Sequence, residues 1–224
     1  MPEKLFRFPD RSLDTNAEFI PKIKVAVVSA CSGAGGSYVC SQILKNGLIS
    51  MKTPSGLRSL IELGKPYFYV ALGMEKRFLG RRFFDFASGG KYETNIEMGI
   101  NWYVRKPGSE LSPMNAIKAV SMTPGSLLVF DCSGAGEELV LSILPEMDMV
   151  YLVLDPSPVK LLESEGYIEK IKNYSPKYTL IVNKYSQGIH KGQLSAFLGT
   201  QNYEVLPAVD LKSLHKAEYN CVLP

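Results

Sequence analysis

The segment Ser29-Ala30-Cys31-Ser32-Gly33-Ala34-Gly35-Gly36-Ser37-Tyr38 concentrates the most legible chemistry in this chain. Gly33, Gly35 and Gly36 let the backbone turn tightly, so that successive N–H groups converge on one point. A helix starting directly after them adds its free first amides and its dipole there, and such a pocket favours an anion such as phosphate. Glycine-rich turns also serve close packing alone, so the loop needs support from elsewhere in the chain. Other chemistries have less behind them. Cys31, Cys40, Cys132 and Cys221 show no C-x-x-C spacing, and with only His190 and His215 beside them a structural zinc site is not expected. No Ser or Cys is spaced to form a triad with either histidine.

The elements that must position this loop follow from four apolar runs, Val25 to Val28, Leu127 to Phe130, Val150 to Leu154 and Tyr178 to Val182. Each is continuous, rich in Val, Ile and Leu, and about five residues long, which suits a strand of a parallel sheet covered on both faces. They stop at Ser29, Asp131, Asp155 and Asn183, and in an open parallel sheet ligands lie beyond such strand ends. Helical segments alternate with the runs: Ser37 to Lys45, Glu137 to Leu144, and one opened by Ser157-Pro158 as cap and first position. Further strands are expected at Ser59 to Leu63, at Asn101 to Val104 and ending at Leu206-Pro207. The fold class is α/β, three layers around a mostly parallel sheet. Residues 1–20 read as an N-terminal arm and 21–224 as one domain, with an elaboration at about 67–113.

Three later segments turn the glycine loop into a candidate site, and with it they resemble the ParA/MinD family of deviant P-loop ATPases. Against that family's first motif, roughly K-G-G-x-G-K-[ST], this chain gives Cys31-Ser32-Gly33-Ala34-Gly35-Gly36-Ser37. Leu127 to Asp131 followed by Cys132-Ser133-Gly134 is similar to the family's strand and D-x-x-G turn. Leu180-Ile181-Val182-Asn183 is similar to its strand ending in an Asn that reads adenine, and Leu206-Pro207 to its loop over the base. Ile61-Glu62-Leu63-Gly64 stands where the family has an Asp-x-Asp pair. The resemblance implies nucleotide contacts from Gly33, Ala34, Gly35, Gly36, Ser37, Tyr38, Asn183 and Pro207. It also implies Mg²⁺ held by Ser37, Asp131 and Glu62, and ATP or ADP as the ligand.

The departures from the motif carry chemistry too. Both lysines are replaced, by Cys31 and Gly36, and the second acid by Gly64. A charge-assisted hydrogen bond contributes about 1.5 to 3 kcal/mol, so the change at Gly36 should weaken triphosphate binding by about 10- to 100-fold unless another cation substitutes. A cation on the transferring phosphoryl group is worth on the order of 10³ in rate. The expectation is a degenerate, nucleotide-binding localisation or scaffold protein with little or no hydrolysis. The alternatives are an active Mg²⁺-dependent ATPase using Lys65, Lys76 or an arginine of residues 65–82, and an interaction module without nucleotide.

Composition frames these readings. The chain has 224 residues, 46% hydrophobic and 21% charged, enough for a real core and against disorder. Its net charge of +3 is matched by the stretch 74–91 alone, where five cationic side chains face two carboxylates. Phe78, Phe83, Phe84 and Phe86 interleave with that charge, so residues 76–91 could dock a protein, a nucleic acid or anionic lipid. A homodimer or a protein partner is expected. Neither the opening residues nor any later window reads as a leader or a membrane helix, and cysteine usage suits a reducing cytoplasm.

Overall fold

The computed structural model describes residues 22–46, 57–71, 95–97, 99–105, 107–175 and 177–220. The expected N-terminal arm and the basic aromatic stretch 76–91 lie outside these residues.

In chain order the elements are β1 (Ile23–Ser29), α1 (Gly36–Asn46), β2 (Arg58–Glu62), α2 (Tyr67–Ala71), β3 (Asn95–Glu97) and β4 (Ile100–Tyr103). Then come α3 (Pro113–Met122), β5 (Leu127–Asp131), α4 (Glu137–Ile143), β6 (Met149–Leu154), α5 (Pro158–Tyr174), β7 (Tyr178–Tyr185), α6 (Lys191–Leu198), β8 (Tyr203–Pro207) and α7 (Leu211–Tyr219). The eight strands among the described residues form one sheet in the order β3-β4-β2-β5-β1-β6-β7-β8. Seven are mutually parallel, and β3 pairs antiparallel with β4 at one edge.

The continuous apolar runs are explained by the two faces they serve. Ala26, Val28, Leu128, Phe130, Leu152 and Leu154 point to one side, where α3, α4, α5 and α6 cover them. Val25, Val27, Leu127, Val129 and Val153 point to the other, against Val39, Ile43 and Leu44 of α1. Both sets are essentially fully buried, and burying one such side chain contributes roughly 1.5–3 kcal/mol. A polar residue inside one of these strands would therefore be costly, which is why the polar positions wait for the strand ends.

Two helix starts differ from the sequence expectation. Ser157 precedes Pro158 as expected, but its hydroxyl makes no cap; the turn is instead held by its backbone N–H donating to Asp155 Oδ1 at 3.1 Å. The cap bond expected there occurs at Ser112-Pro113, where Ser112 Oγ accepts from Asn115 N at 3.3 Å and opens α3 inside the stretch read as an elaboration.

Parallel pairing puts every carboxyl end on one edge. Register sets Glu62 of β2 beside Asp131 of β5, and Val27 of β1 beside Asp131. The order in which strands are added reverses around β1, since β2 and β5 lie on one side of it and β6 on the other. The loop after β1 thus opens at the switch point, where a crevice forms in open α/β sheets.

Candidate anion-binding site

The loop after β1 is built for close approach. Gly33 and Gly35 have φ of +75° and +92°, in the left-handed region, and alternation of this kind turns successive N–H groups inward. A Cβ on Gly35 would lie 2.2 Å from Asn183 Nδ2, so the loop packs directly on the end of β7. That strand end grips it. Asn183 Nδ2 donates to the Ala34 carbonyl at 2.8 Å, and Lys184 Nζ donates to the Gly33 carbonyl at 2.5 Å. Two consecutive side chains of β7 therefore hold two consecutive loop carbonyls, while within the loop Ala34 N donates to Cys31 O at 3.3 Å. Lys184 adopts φ +58°, unusual for a residue with a side chain, beside a register irregularity between Val182 and Tyr185.

At the start of α1, Ser37 Oγ donates to Asp131 Oδ2 at 2.6 Å, while Asp131 Oδ1 accepts from Ser133 N at 2.9 Å. Both residues are buried. Burial pushes the Asp131 carboxyl above its ordinary range, and hydrogen bonds from Ser133 and Ser37 pull the other way. Tyr38 is half-buried, and burial raises its hydroxyl.

Gly36 is enclosed by hydroxyls. Its N–H donates to Ser29 Oγ at 3.2 Å, and Ser29 Oγ donates to Ser133 Oγ at 3.2 Å. A Cβ at Gly36 would meet Ser133 Oγ at 2.3 Å and Ser29 Oγ at 2.4 Å. The absent lysine side chain is thus replaced by a pair of neutral hydroxyls standing at the point where it would leave the backbone.

Glu62 was expected beside the metal, but the structure gives its oxygens other partners. Oε1 accepts from Phe68 N at 2.7 Å and Oε2 from Arg105 N at 3.0 Å, so this carboxylate ties α2 and the end of β4 to β2. It is fully buried, and burial first, then Asp131, push its carboxyl up to about 8. At Gly64, a Cβ would lie 2.0 Å from the Ser133 carbonyl oxygen and 2.6 Å from its carbon. The backbones are joined here: Leu63 N and Gly64 N donate to Asp131 O at 2.9 and 3.0 Å, and Lys65 N donates to Ser133 O at 2.9 Å. Arg105 reinforces the turn by donating to the Leu63 and Gly64 carbonyls at 2.9 and 2.7 Å.

Of the residues expected at the site, the fold brings Gly33 to Ser37, Asp131 and Asn183 together. Pro207 is exposed at the end of β8, paired with Tyr185, two residues beyond Asn183. The cations expected between 65 and 82 fall differently. Lys76, Arg77, Arg81 and Arg82 lie outside the described residues, and the Lys65 methylenes lie across the 131–134 turn, 2.9 Å from where a side chain on Gly134 would begin.

Sequence reasoning placed Asp155 among the polar residues at the strand-end edge but assigned no role to Lys160 or Lys184. Asp155 Oδ2 accepts from Lys160 Nζ at 3.0 Å and from Lys184 Nζ at 3.1 Å. Burial alone would raise the Asp155 carboxyl, but the Ser157 N–H and the two ammonium groups hold it below its ordinary value. The only sequence signal was Asp155 closing an apolar run. The lysine contact with the loop joins residues 33 and 184, which no local pattern connects.

The whole architecture has solved counterparts. A plasmid partition protein of Borrelia burgdorferi B31 bound to AMPPNP superimposes with a TM-score of 0.64 at 14% identity, covering 91% of each chain. A ParA family ATPase from Chlorobium tepidum TLS gives 0.64 at 15%, covering 88% of this chain and 89% of its own. The septum site-determining protein MinD of Pyrococcus horikoshii OT3, complexed with Mg-ADP, gives 0.61 at 15%, covering 91% and 87%. No family model and no curated protein matches this chain. The fold is that of the ParA/MinD-type P-loop ATPases.

Proposed function

We infer that this chain binds ATP or ADP at the loop Gly33 to Ser37 and uses the nucleotide as a structural effector, with little or no turnover. The reading places it as a localisation or scaffold factor acting through a second copy or a protein partner. Binding is supported by the retained backbone cradle, in a fold whose solved relatives hold AMPPNP and Mg-ADP. The Ser37 hydroxyl and the Asp131 carboxylate are hard oxygen donors of the kind Mg²⁺ takes, and they already stand 2.6 Å apart. Glu62 is left out of that donor set, because backbone amides engage both of its oxygens.

The observation that carries the low-turnover half is the backbone of Ser133 against Gly64. An acid there could orient an attacking water, but its Cβ would have to enter space held by a main-chain carbonyl at 2.0 Å. Rotating a side chain does not relieve a backbone contact. The position is therefore closed to a carboxylate in this conformation.

Calorimetric titration with Mg²⁺·ATP and with ADP, followed by a phosphate-release assay, tests the reading. The expected result is saturable binding of both, weakened by Ser37→Ala and Asp131→Ala in the presence of Mg²⁺, with turnover far below once per minute. No heat and no thermal shift at millimolar nucleotide refutes binding. Turnover of about one per second, inside the ordinary range for enzymes, refutes the effector role and favours the active ATPase.

A further inference from the structure

We propose that the loop takes its positive charge from outside itself, from Lys160 and Lys184, with Asp155 keeping both ammonium groups over its crown. Given the loop as a nucleotide site, as inferred above, these lysines are the cations that recognise the di- or triphosphate.

Three observations place them there. Lys184 Nζ bonds the Gly33 carbonyl directly, and Lys160 Nζ lies 3.8 Å from where a side chain on Gly33 would begin. Gly33 lies two residues after Cys31, so this ammonium stands near the position that lacks the first motif lysine. Asp155 binds both lysines through Oδ2 while its Oδ1 holds the Ser157 N–H. Two ammonium groups and one carboxylate leave a net charge of about +1 at the crown, with the carboxylate neutralised by three donors.

The two lysines have different tasks. Lys184 is a positioning residue: its ammonium is engaged by the Gly33 carbonyl and Asp155, and it holds the loop in the shape that turns the amides inward. Lys160 makes one described contact, to Asp155, and stands on the first turn of α5 with its side chain 37% exposed. Its remaining N–H donors are the ones available to an incoming phosphate oxygen. A point charge on a flexible stem needs no place inside the glycine loop, and so it tolerates the hydroxyl pair that closes Gly36.

The test uses the full-length protein, with inorganic tripolyphosphate, ATP and AMP as probes in calorimetry. Lys160→Met should weaken tripolyphosphate and ATP by about ten-fold or more and AMP by less, while Lys160→Arg stays within about three-fold of wild type. The salt dependence of ATP binding should flatten in Lys160→Met, since a partly exposed cation is screened. Lys184→Met keeps an unbranched side chain at the same φ, so it removes the ammonium without new backbone strain. It should weaken both polyphosphates and speed amide hydrogen exchange across residues 31–36, a readout Lys160→Met should not move. Equal polyphosphate affinity in wild type and Lys160→Met, with the melting temperature unchanged, overturns the proposal and leaves the nucleotide site standing. Wild-type protein that binds ATP but not tripolyphosphate also overturns it, because phosphate recognition would not be the anchor. Wild-type protein that binds neither overturns both readings.

Discussion

Restoring the missing lysine is the obvious repair, and the structure says it should fail on its own. In Gly36→Lys the new Cβ meets Ser133 Oγ at 2.3 Å and Ser29 Oγ at 2.4 Å, well inside normal contact. Backbone conformation is no obstacle, because Gly36 is not among the positive-φ glycines. Both hydroxyls must rotate away, which breaks the bond from Gly36 N to Ser29 Oγ and the bond between the two serines. At about 1 kcal/mol each, the loss is about 2 kcal/mol. For a chain of this length that is about 4–8 °C in Tm. Urea unfolding can be followed by Trp102, the single tryptophan, which is buried with its ring 5.7 Å from Phe68. Ser29→Ala/Ser133→Ala/Gly36→Lys removes both obstructing oxygens; it gives up the same two bonds and so melts no higher than Gly36→Lys alone would from their loss, but with the lysine free to extend it should bind ATP about 10- to 100-fold more tightly than wild type. If Gly36→Lys alone melts with wild type and tightens ATP by ten-fold, the hydroxyl pair is not what excludes lysine, and the steric account fails.

Gly64→Asp should be worse than Gly36→Lys, since its Cβ meets main-chain atoms that cannot rotate aside; a loss of about 3 kcal/mol or more and no gain in phosphate release are expected, and a stable, faster variant would contradict the packing described. Glu62 gives a pH signature. Its carboxyl lies at about 8 in the folded protein against 4.5 as its ordinary value, so the folded state binds the extra proton between those values. Its contribution to stability is complete below about pH 4.5 and is lost as pH rises through about 8. Urea midpoints measured at pH 5, 7 and 8.5 should fall with pH more steeply in wild type than in Glu62→Gln, and parallel slopes would remove Glu62 as the cause.

The central sheet was legible because each strand is buried on both faces, and such burial writes a continuous apolar run into the chain. Ile23–Ser29, Leu127–Asp131 and Met149–Leu154 differ from the runs read in sequence by only a residue or two at each end. The polar residues closing the runs were legible for the same reason, and parallel pairing carried Ser29, Asp131, Asp155 and Asn183 to one edge. Helix α3 was missed although Ser112-Pro113 carries the same signal as Ser157-Pro158, because that pair closes the stretch 67–113, which was read as an elaboration that breaks the rhythm. The edge strand β3, only three residues long, has too little sequence to show a period. What local pattern could not supply was pairing across the crevice. The cation was sought near residues 65–82, next to the loop that carries Glu62, whereas the lysine that touches the glycine loop and the one that stands near it come from β7 and α5 on the other side of β1. Strand order decides which loops meet, and a strand's position in the sheet is written nowhere along that strand.

Two departures from the phosphate-loop pattern, at positions 36 and 64, look independent in sequence and are connected in space. The turn 131–134 presses on both flanks at once: the Ser133 carbonyl closes position 64 to an acid, and the Ser133 hydroxyl, paired with Ser29, closes position 36 to a lysine. The turn is held in place by Leu63, Gly64 and Lys65, whose amides donate into it, and Asp131 is fixed from above by Ser37. An acid at 64 would lever Ser133 away and break those amide bonds; a lysine at 36 would turn its hydroxyl out of the pair with Ser29. Loss of one charged residue therefore favours loss of the other, because each glycine is what allows Ser133 to settle where it does. The tightened turn keeps the Ser37–Asp131 pair, and among the described residues the cations that stand at the crown, Lys160 and Lys184, come from the side of β6 and β7.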